Sequence, residues 1–266
     1  MVNKILGGGL ALLFLAGCQS VRDIGVAPVG PAVAVSPAEA QKLASDGRAL
    51  FAAQPRTLPR ATAAAQQLAE AAAILSNDYT VQWAAAEAWE FVADNESRHA
   101  ERIAAAKRGI TLARLARELQ PDRVEGHYWY ALNIGLLADA DRGYGLKAVA
   151  EMERALRRAM ELDERYDYAG PVRVLGVLLL RAPAPPVSIG SSRKGLRLLQ
   201  HAVELYPDYP ENMLYLAEAF RDNKRNAEAR ELLQKVIHAP LWPDRQFESV
   251  GWKTAAQGLW QCVPAN

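Results

Sequence analysis

The segment Ala116-Arg117-Glu118-Leu119-Gln120-Pro121 recurs twice further along the chain, as Ala159-Met160-Glu161-Leu162-Asp163-Glu164 and as Ala202-Val203-Glu204-Leu205-Tyr206-Pro207. Each interval is 43 residues, and a weaker fourth copy begins at Ala72, 44 residues before the first. A fixed period in this range is typical of proteins that stack one supersecondary unit upon the next. The fold is therefore expected to be a repeat array.

Each copy closes an amphipathic helix, and a second helix precedes it. In the first copy, apolar residues recur at helical spacing, namely Leu112, Leu115, Ala116 and Leu119. Pro121 and Pro207 end their helices because proline lacks an N–H and clashes with the preceding turn. Gly135 and Gly176 leave room for two helix axes to approach closely. Paired helices with small residues at their crossings are typical of tetratricopeptide repeats.

We predict an all-α fold, a tetratricopeptide-like right-handed superhelix of about five helix pairs plus a C-terminal helix. The predicted pairs are 37–53 with 58–76, 79–95 with 97–119, 123–138 with 145–163, 166–181 with 191–206, and 210–221 with 225–238. The last predicted helix covers 245–261. The period exceeds the usual tetratricopeptide length of about 34 residues. We expect the extra residues to lengthen helices or loops.

The N-terminus predicts a bacterial lipoprotein. A positively charged start at Lys4 precedes an apolar run from Ile5 to Leu15, and Leu15-Ala16-Gly17-Cys18 has the pattern of a lipobox. We therefore expect a signal peptide at 1–17, a lipidated Cys18 followed by a Pro- and Gly-rich flexible tether to residue 35, and the repeat domain at 36–266. An ordinary signal peptide with an accidental Cys, or a buried N-terminal helix, is the alternative.

The predicted location is the bacterial cell envelope, lipid-anchored and facing the periplasm. Gln19 follows the Cys, where an Asp would resemble an inner-membrane retention signal. The outer membrane is therefore favoured over the inner membrane.

Composition and motifs argue against several functional classes. The formal net charge is only +1, so the chain as a whole lacks the electrostatic signature of nucleic-acid binding. The four histidines show no metal-ligand spacing, and the sequence has neither a P-loop nor a nucleophile elbow. We therefore predict a protein that is not an enzyme and that holds no cofactor or metal.

Three features are candidates for binding. Tyr128, Trp129 and Tyr130 are consecutive on one helix, so at least one ring is expected to leave the core for the superhelical groove, unless all fill space between helices. The proline-rich stretch 181–190 is either a functional loop or a tolerated surface insertion. Cys262 is expected to pack beside Trp260 as a small apolar residue, with pairing between chains as the alternative.

The order of several motifs resembles the TatT family, the tetratricopeptide lipoproteins associated with tripartite ATP-independent periplasmic (TRAP) transporters. The motifs are Asn77-Asp78-Tyr79 with Trp83, then Tyr128, Tyr130, Ala131, Asn133 and Gly135, then Arg173, Leu175 and Gly176 with the following loop and Lys194, then Asn212 with Tyr215–Glu218 and Ala229-Arg230. The resemblance covers roughly 38–240 and the lipobox.

The resemblance implies a non-catalytic accessory protein that binds the periplasmic solute-binding subunit of a TRAP transporter. The predicted partner-binding residues lie on the concave face and beside the loop, and they are Tyr128, Trp129, Asn133, Arg173, Ile189 and Lys194. A homo-oligomer is compatible with the sequence. The alternative function is a tetratricopeptide scaffold lipoprotein for cell-envelope protein assembly.

Overall fold

The computed structural model describes residues 35–264, a part of the chain that forms eleven α-helices and one 3-10 turn without any strand. The helices are α1 (Pro37–Ala52), α2 (Leu58–Ile74), α3 (Tyr79–Asn95), α4 (His99–Leu119), α5 (Val124–Ala140), α6 (Gly145–Leu162), α7 (Tyr166–Arg181), α8 (Ser192–Leu205), α9 (Pro210–Asp222), α10 (Asn226–His238) and α11 (Gln246–Cys262). The 3-10 turn is Arg142–Tyr144. Every predicted helix is present, with bounds close to those predicted except at the non-helical start of α7, so the predicted all-α superhelix is confirmed.

Polar side chains set several of the helix starts. Ser36 accepts a hydrogen bond from the N–H of Glu39 while the Glu39 carboxylate accepts one from the Ser36 N–H, which is a reciprocal capping box. Asp78 accepts from the N–H groups of Thr80 and Val81 at the start of α3. These caps satisfy backbone donors that lack a partner within the first helical turn.

The helices form two layers. Helices α1, α3, α5, α7 and α9 pack on one another in that order and make the inner, concave layer. The even-numbered helices α2, α4, α6, α8 and α10 pack outside them, each between its neighbours in sequence. Alanines dominate the contact between α2 and α3. Those that are fully buried there include Ala61, Ala64, Ala65, Ala85 and Ala88. Small side chains at these positions let the layers approach closely.

One interhelical crossing depends on the absence of a side chain. Gly109 of α4 faces Asn133 of α5, and a Cβ atom on Gly109 would lie 1.9 Å from Asn133 Oδ1. Asn133 is fully buried, and its Nδ2 donates to the carbonyls of Ala86 (3.1 Å) and Trp129 (2.9 Å). Asn133 therefore joins α3 and α5 where α4 crosses them.

The sequence prediction for residues 1–34, including the lipobox at Cys18 and most of the tether, lies outside the described residues. Within residues 35–264, no helix combines the length and the apolar character needed to span a membrane. Cys262 is a free thiol in the last turn of α11. It is exposed, which corrects the expectation that it is packed as a buried apolar residue. Trp260 instead lies against the Arg230 guanidinium, 3.7 Å from the ring centroid.

Candidate functional site

A cavity of about 660 Å³ lies inside the superhelix. Its walls are formed by the inner helices from α1 to α9 and by α11, which crosses the concave side. A volume of several hundred Å³ is typical of small-molecule sites. The concave face that the sequence predicted as a groove is therefore covered by α11.

The last helix reaches back to the first helix pair. Arg56 Nη1, in the α1–α2 connection, lies 3.0 Å from Glu248 Oε1 of α11. The Gln54 side chain donates to the carbonyl of Asp244 at 2.9 Å, and the rings of Phe91 and Phe247 are 5.6 Å apart. These contacts bring the two ends of the repeat array together and close the cavity.

Three carboxylates from α3 face the cavity. Glu87, Glu90 and Asp94 are spaced three and four residues apart, so they share one face of the helix. Burial raises the pKa of Glu87, raises that of Glu90 well above its ordinary value, and raises that of Asp94 to about 7. Within residues 35–264 none of the three forms an ion pair, and Asp94 Oδ1 is buried without a hydrogen-bond partner.

The opposite wall carries a balanced network of charges around Arg173. Its guanidinium lies 3.0 Å from Glu211 and 3.4 Å from Asp167, and Asp167 also accepts from Arg245 at 2.6 Å. Tyr128 donates its hydroxyl proton to Asp167 Oδ2 at 2.6 Å. Burial alone would lower the pKa of Arg173, but Glu211, Asp167 and the neighbouring tyrosines together outweigh burial and raise that pKa above its ordinary value.

A strained turn aims Asp167 into this network. Asp167, Tyr168 and Ala169 have φ of 48°, 55° and 65°, the left-handed region that costs about 1–3 kcal/mol for a non-glycine residue. The helical part of α7 therefore starts later than the sequence predicted, near Pro171, whose fixed φ suits a first helical turn. Arg173 holds the turn in place, because its Nη1 donates to the carbonyl of Tyr168 at 3.2 Å.

The cavity mouth is marked by residues that both line the cavity and face solvent. Leu241 and Val250 are 47% and 55% exposed, and Pro55 and Thr254 are exposed beside them. All four lie in α11 or in the connections α1–α2 and α10–α11. The mouth therefore lies where α11 meets the N-terminal repeats.

The structure brings together three of the residues predicted to bind a partner. Tyr128, Trp129 and Arg173 line the cavity, while Asn133 is absent from the lining and has the packing role described above. Ile189, in the 182–191 loop, is half-buried against the core. Lys194 is exposed in the first turn of α8, on the outer layer. That these residues bind a partner stays a prediction.

The three consecutive aromatic residues divide between two sides of α5. Tyr128 and Trp129 face the cavity, as expected for at least one ring. Tyr130 faces the outer layer, where its hydroxyl donates to Glu151 at 3.2 Å and its ring lies 4.2 Å from the Arg117 guanidinium.

Sequence reasoning missed most of the charged residues of the site, namely Arg56, Glu87, Glu90, Asp94, Asp167, Glu211, Arg245 and Glu248. A signal was present for the α3 carboxylates, since their spacing places them on one face with Phe91. The α11 residues gave no comparable signal, because their role depends on how the last helix folds back. Among residues 35–264, no group of three or more His, Cys, Asp or Glu is arranged to hold a metal ion.

Similarity to solved structures supports the fold. A tetratricopeptide repeat protein of Thermus thermophilus superimposes with a TM-score of 0.59 at 18% identity, over 82% of this chain and 99% of that chain. PilF of Pseudomonas aeruginosa superimposes with a TM-score of 0.54 at 15% identity, over 86% of this chain and 95% of that chain. At these identities the likeness shows the fold alone. Comparison with curated proteins finds no match.

A sequence model of the TRAP transporter T-component family matches residues 82–248. This span runs from α3 into α11 and contains most of the cavity wall, including the α3 carboxylates and the Arg173 network. The family and the fold are both of non-catalytic kinds. Because the match covers more than half of the chain, the chain belongs to the TRAP transporter T-component family, as the resemblance in its sequence predicted.

Proposed function

We propose that this protein is a lipid-anchored accessory component of a TRAP-type solute transporter, that it faces the periplasm, and that it binds the periplasmic solute-binding subunit. The observation that carries this proposal is the T-component match over residues 82–248. The lipobox ending at Cys18 and the Pro- and Gly-rich tether support an anchor that leaves the folded body free to meet a partner. Gln19 after the Cys favours the outer membrane.

A folded partner would contact the cavity mouth rather than the cavity wall. Trp129 and Arg173 are only 4% and 3% exposed, so a protein surface cannot reach them while α11 is in place. Leu241 and Val250 present apolar side chains to solvent at the mouth. Apolar anchors of this kind dominate many interfaces. We therefore place the docking surface around these two residues.

The docking surface is tested by calorimetric titration of the full chain with the solute-binding subunit of a TRAP transporter from the same bacterium. We expect Leu241→Asp and Val250→Asp each to weaken binding at least about tenfold, or about 1.4 kcal/mol. Val187→Asp is the matched control, because Val187 is also 47% exposed but lies in the loop before α8, away from the mouth. A loss confined to Val187→Asp would overturn the placement at the mouth.

The anchor is tested separately by metabolic labelling with radioactive palmitate. The wild-type chain should incorporate label, and Cys18→Ala should not. Equal label in both chains would mean that Cys18 is not the lipidation site. A lipidated protein that binds no TRAP solute-binding subunit would favour the alternative function, a scaffold for envelope protein assembly.

A further inference from the structure

The cavity holds more carboxyl groups than its own guanidinium groups pair with. Its three guanidinium groups, Arg56, Arg173 and Arg245, all pair with carboxylates of the same cavity, which are Asp167, Glu211 and Glu248. These six side chains balance one another, three against three. The carboxylates of α3 have no such partner among the described residues, so they form the excess.

Two tyrosines with buried rings line the same cavity. Tyr209 and Tyr215 are 1% and 7% exposed. Neither hydroxyl forms a hydrogen bond with another residue of the described part of the chain, so both are available to a bound molecule. Two oxygens of cavity carboxyl groups, Asp94 Oδ1 and Glu248 Oε2, are buried without a hydrogen-bond partner. A buried polar atom without a partner is uncommon in a native protein.

Aromatic rings supply part of the rest of the wall. Phe91 belongs to the same helix as the carboxylates, and Trp129 faces the cavity from the neighbouring α5. The faces of aromatic rings attract cations, and this attraction is stronger away from water. A volume of about 660 Å³ is far larger than a metal ion needs and suits an organic molecule.

We propose that the cavity binds a small organic cation bearing an ammonium or guanidinium group, with Glu87, Glu90 and Asp94 as its counter-charges. The ligand's N–H groups would donate to the free carboxylate oxygens and to the hydroxyl oxygens of Tyr209 and Tyr215. Its carbon chain would lie against Phe91 and Trp129. A bound cation would favour the ionised form of these buried carboxyl groups, whereas an anion or a neutral molecule would supply no counter-charge.

The proposal is tested with three five-carbon probes that differ in charge, using the full chain and calorimetric titration. The probes are cadaverine, a dication, pentanediol, which is neutral, and glutarate, a dianion. We expect cadaverine to bind at millimolar concentration or below, and the other two to bind at least about tenfold more weakly. Equal or tighter binding of pentanediol or glutarate would overturn the proposal, as would no binding of cadaverine. Calcium chloride is a further probe, and tighter binding of calcium than of cadaverine would also overturn it.

Paired variants locate the bound cation. Glu87→Gln with Glu90→Gln keeps the size of both side chains and removes their charge, so cadaverine binding should weaken at least about tenfold. Glu70→Gln with Glu118→Gln is the control, because both residues lie on the outer helices α2 and α4, away from the cavity. Melting curves of each variant show that it is folded. Equal cadaverine affinity in the two double variants would place the cation outside the cavity.

Discussion

Arg56 and Glu248 are 192 residues apart in the sequence, and their charged groups lie 3.0 Å apart in the structure. This pair joins the turn after the first helix to the last helix. Together with the contact between Phe91 and Phe247, it holds α11 across the concave side of the repeat array, where α11 forms one wall of the cavity. A mouth of the cavity lies beside α11.

Removing the charge of Glu248 should loosen α11. Glu248→Gln removes the ion-pair partner of the buried Arg56 guanidinium, and breaking such a pair is costly. We expect a loss of about 2 kcal/mol in the free energy of unfolding, measured by urea denaturation, and faster amide exchange in residues 246–262.

The matched control for this pair is Asp46→Asn. Asp46 pairs with Lys42 on the exposed face of α1, and exposed pairs contribute about 0–1 kcal/mol. If both variants lose the same stability, or if exchange in α11 is unchanged, the pair does not hold the last helix.

Arg173 should prove essential for stability. Its removal leaves Asp167 without one of its two guanidinium partners and leaves Glu211 buried without any. We expect Arg173→Ala to cost about 3 kcal/mol or more in urea denaturation, since removing one partner of a buried pair costs about 3–5 kcal/mol.

Arg157→Ala is the control for Arg173, because Arg157 pairs with Glu153 on the outer surface and should cost less than about 1 kcal/mol. An Arg173→Ala protein as stable as the wild type would mean that the buried network is not formed as described.

The repeat period predicted the fold because each repeat contains the same local pattern, apolar residues at helical spacing followed by the end of a helix. Helix ends follow from Pro121, Pro207 and caps such as Asp78, which act within a few residues. The start of α7 was harder to predict, because the strained turn at Asp167 is held by distant partners such as Arg245.

The site was predicted only in part, because it too depends on contacts between residues far apart in the sequence. Tyr128 and Trp129 were predicted from the consecutive aromatic residues and Arg173 from the family resemblance, and all three line the cavity. These residues line a cavity because α11 packs across the concave side. No local sequence pattern predicts where the last helix will pack. Asn133 has the polarity of a binding residue, but its hydrogen bonds serve the contact between α3 and α5.

The α3 carboxylates should make the protein more stable in mild acid. Burial raises the pKa of Glu87, Glu90 and Asp94, the last to about 7, whereas unfolded carboxyl groups titrate near about pH 4. Between these limits the folded chain holds protons that the unfolded chain releases, so unfolding free energy falls as pH rises. We expect a melting temperature about 3 °C or more higher at about pH 5.5 than at about pH 8.

A triple variant isolates this effect. His127 opposes it, because burial lowers the pKa of His127 and acid then favours the unfolded chain. Glu87→Gln with Glu90→Gln and Asp94→Asn should reduce the fall between mild acid and mild base. His127 remains in the variant, and so do Glu211, whose pKa burial raises, and His201, whose pKa its hydrogen bond with Glu164 raises. An unchanged pH profile in the triple variant would show that these carboxyl groups are ionised throughout.

The crossing of α4 over α5 should not tolerate a methyl group. Gly109→Ala would place a Cβ atom 1.9 Å from Asn133 Oδ1 and displace a hydrogen-bonded side chain. We expect a loss of about 2 kcal/mol or more in thermal or urea unfolding. Gly258→Ala is the control, since nothing lies within 4 Å of its Cβ and alanine favours helix by about 0.5–1 kcal/mol. Equal stability of the two variants would contradict the close crossing.

The most direct test of the proposed function is co-purification from native membranes. The full chain, carrying a C-terminal affinity tag, is crosslinked in intact cells, purified in detergent, and its partners are identified by mass spectrometry. We expect a TRAP solute-binding subunit to be enriched with the wild type and to be reduced with Leu241→Asp. Enrichment of cell-envelope assembly proteins without any TRAP subunit would contradict the proposed function.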